Sequence, residues 1–235
     1  MNKPTVQSTI TLEEPGSHYR RPTQARGIEK FELILDSTHT LLETKGVDAI
    51  SLYDVAKHAG VAAGSVYHFF PSLEAVLIAL VERYDQRFAD ICAQPLAPET
   101  IDTWEDIVVR QFEESRSFIN QHEPALMLII GPGRTWASKQ VDTLGDTRIA
   151  RAMLSTFEQH FELPVEPQPD VILHYAIRLL EGFWELSYQQ HGYVTDEISR
   201  ETNRAAIAYL GLYWPKYLPR RPISEVSQED RTAIE

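Results

Sequence analysis

Residues 51–74, read SLYDVAKHAGVAAGSVYHFFPSLE, leave a chain few ways to fold. Ser51 is a good N-cap, and Asp54 three residues on completes a capping box. Leu52, Val55, Ala56 and Ala59 then make one small apolar face over about two turns. Gly60 stops that helix, because a glycine just past the last turn accepts the left-handed conformation of a C-cap. A second short helix is expected over residues 62–69, before Pro71 punctuates the chain. Two short helices joined by a tight glycine-containing turn make a helix-turn-helix, whose second helix can enter a DNA major groove.

Val55-Ala56, Ala59-Gly60-Val61, Gly64-Ser65-Val66-Tyr67, Phe70 and Glu74-Ala75-Val76-Leu77 carry a family resemblance. Over residues 27–77 the chain resembles the DNA-binding head of TetR-family regulators. The resemblance implies an outward face of Ala63, Gly64, Ser65, Tyr67 and His68 on the recognition helix, with Val66 and Phe69 or Phe70 inward. Tyr67 and Ser65 would contact phosphate, and His68 a base edge or a nearby phosphate; alternatively Tyr67 packs on the edge of the head. The N-terminus of the preceding helix, with Ser51, Leu52 and Tyr53, would lie against another phosphate. Three positions depart from the family pattern. Ala62 stands in place of a capping Ser or Thr, a loss of about 1 kcal/mol. Ala63 replaces a basic or polar residue, and Leu73 a lysine, so the expected DNA face is poor in cations.

The net charge of −12 runs against nucleic-acid binding until it is divided along the chain. Residues 1–71 hold 7 Lys+Arg against 8 Asp+Glu, and residues 72–235 hold 15 against 26, so the acidity sits in the second part. The basic arm His18-Tyr19-Arg20-Arg21-Pro22, with Arg26 beyond it, can lie against phosphates or in the minor groove, Arg21 and Arg26 being the candidates. The alternative for these residues is a solvated tail.

Hydrophobic spacing places a first helix over residues 28–43, through Phe31, Ile34, Leu35, Thr38, Leu41 and Leu42. A fourth follows from residue 72, with Leu73, Val76, Leu77, Leu80, Val81, Tyr84 and Phe88 on one stripe. Its length carries it out of the head into a second domain. Five further helices and no convincing strand follow. One is marked by Trp104, Ile107 and Phe112. A short one opens at Pro124 and is broken by Gly131-Pro132-Gly133. The others cover residues 138–161, 170–190 and 195–213. The eighth is apolar nearly all round and must be covered on more than one side. The spacing gives an all-α chain with about nine helices, and the resemblance implies that its fold is TetR-like. Its expected division is a disordered arm (1–22), a helix-turn-helix head (23–76), a ligand-binding and dimerisation domain (77–218) and a disordered tail (219–235).

Two terminal helices with broad apolar faces fit a homodimer closed by a four-helix bundle, as the resemblance also implies; the alternative is that both are monomer core. A two-fold dimer doubles the contacts on a palindromic operator of double-stranded DNA. The resemblance also implies a small-molecule effector in the second domain, between helices five to eight and above helix four. Trp104, Trp136, Tyr175 and Trp184, with His122, Arg134 and His174 as polar anchors, are its candidate contacts. Arg134 as a fork for a carboxylate favours a flat, neutral or anionic ligand. The same aromatics can instead simply fill the core. His174, Arg178, Glu181 and Glu185 form a polar stripe on helix eight, read as local ion pairs on an exposed or dimer-rim face in preference to a ligand site.

Other classes find little support. One cysteine, Cys92, excludes an intrachain disulfide and suits a reducing cytoplasm. No signal pattern opens the chain, and the longest apolar run, residues 125–130, cannot span a bilayer, so a cytoplasmic protein without a membrane partner is expected. The eight histidines show no ligand spacing, so no metal or other cofactor is expected. Gly131-x-Gly133 follows no strand, and no nucleophile–His–acid set marks an enzyme. The reading is a transcriptional repressor released from its operator by an inducer. The alternative is a TetR-fold structural or protein-binding factor with no inducer.

Overall fold

The computed structural model describes residues 18–131 and 134–221. Among these the chain is helical, with one isolated bridge between Phe161 and Arg220 in place of any sheet. The elements are α1 (Ala25–Thr44), α2 (Leu52–Ala59), α3 (Ala63–Phe69), α4 (Leu73–Cys92), α5 (Trp104–Gln121), α6 (Glu123–Ala125), α7 (Trp136–His160), α8 (Pro169–His191) and α9 (Asp196–Leu210). The spacing of apolar residues located each helix to within three residues at either end. The exception is the short apolar helix, which is a single α turn, α6, running into a π-helical turn at Leu126–Ile130.

Local chemistry explains the boundaries. Ser51 and Asp54 form the reciprocal capping box of α2, and Gly60 closes that helix at φ 66°. Ala62 begins α3 without a side-chain cap. Ser72 caps α4 through Ala75 N–H at 3.2 Å, and Thr103 with Asp106 forms a second capping box at α5. The last carbonyl of α4, on Cys92, accepts from Gln111 Nε2 at 2.8 Å and Thr156 Oγ1 at 2.7 Å. Those two bonds satisfy a buried helix end that would otherwise be costly.

The axis of the molecule is α4. All residues from Ala75 to Val81 are buried, so two turns of α4 just past its start are covered on every side. In the head they pack on α1; further along, α4 lies on α7, its most extensive partner, and on α5. Among the described residues no single helix is long and apolar enough to cross a membrane; α3 and α4 pass that test only jointly, across a 63° bend.

Both expected disordered ends are partly ordered. The residues before α1 fold back onto the head: Tyr19 is buried, its ring 5.6 Å from Phe31 and 5.7 Å from Phe70, and Arg20 N–H donates to Phe69 O at 2.8 Å. An aromatic in a basic arm was thus a core residue. The tail begins later than residue 219, because Glu162 N–H donates to Pro219 O and Arg221 N–H to His160 O. Residues 1–17 and 222–235 of those two segments lie outside the described residues.

Candidate DNA interface and effector cavity

On α3, Val66 and Phe69 are buried, as is the following Phe70, which settles the inward face. Gly64, Tyr67 and His68 are exposed, and Ala63 and Ser65 half-buried. Tyr67 is 57 % exposed and Tyr53 on α2 is 68 % exposed. Neither ring contributes to the core. The exposed cations of the described head are Arg20 and Arg21 before α1, Arg26 and Lys30 on α1, Lys45 after it, Lys57 and His58 on α2, and His68 on α3.

Two expected phosphate contacts are already engaged. Ser51 N–H donates to Asp54 Oδ2 at 2.9 Å and its hydroxyl to the same oxygen at 2.5 Å. These bonds hold the Asp54 carboxyl below its ordinary range and place an anion at the α2 N-terminus. Ser51 is therefore a cap before it is a phosphate ligand. Arg21 donates to Tyr19 Oη at 2.7 Å and pairs with Glu82 on α4. Its charge is spent on an acid within the protein, and the arm is tied to α4 instead of extending away.

Deeper in the second domain, α4, α5, α7, α8 and the π turn surround a small cavity of about 40 Å³. Phe88, Phe112, Ile129, Met153 and Trp184 make most of its wall apolar, while Asp85, Asp142, Asp146 and Glu181 gather on one side. All four acids are buried. Arg134 pairs with Asp142 and reaches Glu181 at 3.7 Å; Arg178 pairs with Glu181 and lies 3.2 Å from Asp146 and 3.6 Å from Asp142. Burial pushes Asp142 and Asp146 up to about 7 and Glu181 to about 8, with neighbouring carboxylates adding to the effect. Asp85 is raised well above its ordinary value for the same reasons. Its Oδ2 and the Trp184 indole Nε1 are buried with no hydrogen-bond partner.

The aromatic and polar candidates for the effector site do not converge. Trp184 lines the cavity. Trp104 is core: its ring meets Trp214 edge-on at 5.5 Å, and its N–H donates to Pro215 O at 2.9 Å. His122 stands between head and body, its Nδ1 2.7 Å from Phe118 O and its ring 5.7 Å from His39. His174 is buried and Tyr175 half-buried, both away from the cavity wall. Arg134 is held by acids of the protein, so it offers no free fork for an anion. The Trp136 side chain lies outside the described residues. The polar stripe of α8 is also not an exposed ladder, since His174 and Glu181 are buried and only Arg178 and Glu185 reach solvent.

Glu181 was read as part of the polar stripe of α8, whereas Asp85, Asp142 and Asp146 were missed because each sits on an apolar stripe. Asp85 occupies the position between Val81 and Phe88, and Asp142 and Asp146 lie four apart on the buried side of α7. An acid at a core position with helical spacing was the available signal.

Residues 34–80 match the family of bacterial regulatory proteins described as the tetR family. The HTH-type transcriptional regulator EthR of Mycobacterium tuberculosis strain H37Rv is 38% identical over 84 residues, covering 36% of this chain and 38% of its own length. The chain thus spans less than two fifths of that relative. A TetR-family regulator from Streptomyces coelicolor superposes with TM-score 0.63 at 22% identity, covering 79% of this chain and 98% of its own. SmeT, repressor of the Stenotrophomonas maltophilia multidrug efflux pump SmeDEF, superposes with TM-score 0.54 at 19% identity, covering 80% and 93%.

Proposed function

We infer that this chain, a TetR-family member by its DNA-binding head and its all-α fold, is a transcriptional repressor. It binds a palindromic operator as a dimer and releases it when a small molecule enters the cavity along α4. The observation that carries this reading is α4 itself. One rigid helix leaves the recognition helix after Phe70-Pro71-Ser72 and, three to four turns on, presents Asp85 and Phe88 to the cavity. A ligand that fits only one tilt of α4 changes the separation of two recognition helices away from the half-site spacing.

The cavity is narrow, so a ligand has to part α4 from α7 and α8 to enter. That need supplies differential affinity for two states, without which binding shifts nothing. The dimer face is assigned to the outward sides of α8 and α9. Leu179, Gly182 and Leu186 are exposed at helical spacing on α8, and Ala205, Ala208 and Tyr209 are partly or wholly exposed on α9. Small residues there let helices of two protomers approach closely, as a four-helix bundle requires.

The test is selection of bound duplexes from genomic fragments, followed by anisotropy with the enriched sequence. Wild type should enrich an inverted repeat, and Tyr67→Ala should weaken binding at unchanged melting temperature. Recovery of no sequence preference overturns the reading in favour of a TetR-fold structural or protein-binding factor.

A further inference from the structure

The cavity holds more buried acid than its cations can answer. Asp142, Asp146 and Glu181 share Arg134 and Arg178, whereas neither guanidinium makes an ion pair with Asp85. Asp85 is 2 % exposed with Oδ2 unpartnered. A carboxylate buried without a partner is among the costlier things a protein can contain, and it stays protonated until a cation arrives. A second and separate vacancy in hydrogen bonding lies on the wall at Trp184, also 2 % exposed, whose Nε1–H has no acceptor.

Resting on the effector reading above, we propose that the effector is a lipophilic organic cation, an amine with an apolar body. Its ammonium group takes Asp85 as partner, its body lies along Phe88, Phe112 and Ile129, and an acceptor on it can receive the Trp184 N–H. An anion is disfavoured by four acids on one wall. A divalent metal is disfavoured on geometry: oxygens of Asp142, Asp146 and Glu181 lie within 4.8 Å of one another, but both guanidiniums already occupy them. Asp85 needs no such displacement.

The proton balance is explicit. An ammonium ion enters, the Asp85 carboxyl loses its proton to solvent, and the product is a carboxylate–ammonium pair. Affinity for the amine therefore rises with pH while the amine stays charged. Besides burial, the charged groups that bear on Asp85 are Asp142, Asp146 and Arg148 of α7 and Glu181 of α8, with Arg21 and Glu82 on a neighbouring cleft that Asp85 also lines. The three acids keep the proton on Asp85, and Arg148 opposes them.

The test uses the full chain and three compounds of one shape: phenylbutylamine, phenylbutanol and phenylbutyrate, followed by calorimetry and tryptophan fluorescence. The amine should bind about ten-fold or more tighter than the alcohol, the acid weakest, and Asp85→Asn should bring the amine down to the alcohol. Equal binding of amine and alcohol, tighter binding of the acid, no amine binding up to millimolar concentration, or an amine preference that survives Asp85→Asn each overturns the proposal. So does binding of manganese at the acids with none of the amine. The wild-type ranking decides the matter if Asp85→Asn does not fold. If the amine binds through Asp85 but leaves the operator bound, the ligand assignment stands and the inducer reading falls.

Discussion

The carboxylate of Asp85 rests against the bare Cα of Gly145, where a Cβ would fall 2.2 Å from Asp85 Oδ2 and 2.7 Å from its Cβ. This approach lets α4 and α7 close on one another with an acid between them. It gives a signed prediction, because alanine inside a helix is ordinarily favoured over glycine by about 1 kcal/mol. Gly145→Ala should instead destabilise by about 1–3 kcal/mol, the usual scale of overpacking. Adding Asp85→Ala should relieve only part of that, because the Cβ that remains still lies 2.7 Å from the new methyl, whereas Asp85→Gly removes the contact altogether. Thermal melts of the single and double variants check the coupling.

The pH dependence of stability should be inverted from the usual carboxylate case. Burial raises Asp142 and Asp146 to about 7 and Glu181 to about 8. Between the ordinary carboxylate range near ~4 and these values, the folded chain holds protons that the unfolded chain has lost. The contribution of these groups is therefore full at the acid end of that window and falls as pH rises through 7 to 8. The melting temperature should drop by a few degrees from about pH 6 to 8, on the scale of ~2–4 °C per kcal/mol. Asp146→Asn should flatten the curve. A melting temperature that climbs across this range contradicts the assignment.

Tyr19 and Arg21 should differ sharply as mutation sites although they are neighbours on one latch. The Tyr19 ring is buried among Phe31 and Phe70, whereas the Arg21 side chain is 68% exposed beside Glu82. Tyr19→Ala should cost ~3 kcal/mol or more, as loss of a core aromatic does. Arg21→Ala should cost ~1 kcal/mol or less, as exposed ion pairs do. Chemical denaturation of both variants measures the contrast.

Much of the fold was legible because the longer helices announce themselves by an apolar stripe and several by a cap as well. Ser51, Gly60 and Ser72 mark ends that the structure places within a residue or two. The outward face of α3 was legible for a related reason: buried Val66 and Phe70 leave Tyr67 and His68 exposed. The cavity was not. Its chemistry comes from Asp85, Asp142, Asp146 and Glu181, which three helices bring together from positions 96 residues apart along the chain at the extremes (85 and 181). No local spacing encodes such a meeting. Tryptophans attracted attention by size, yet Trp104 turned out to be paired with Trp214 in the core. Arg134 looked like an anion fork because its partners Asp142 and Glu181 are visible only in three dimensions.

The cation-poor DNA face predicts a shallow salt dependence. Leu73 opens α4 half-buried beside α3, at the edge of the exposed face. A lysine there would reach a phosphate and release one more counterion per subunit. Leu73→Lys should tighten operator binding and steepen the slope of log K against log salt by about one unit per subunit. An unchanged slope would mean that this end of α4 does not face the DNA backbone.

The central claim is that two protomers read one operator through paired recognition helices. The direct measurement is anisotropy with the selected palindrome and with the same duplex after one half-site is scrambled. The account predicts two-fold-symmetric occupancy and at least ~100-fold weaker binding to the half-site duplex, as loss of half the base contacts implies. Equal affinity for the two duplexes would contradict it.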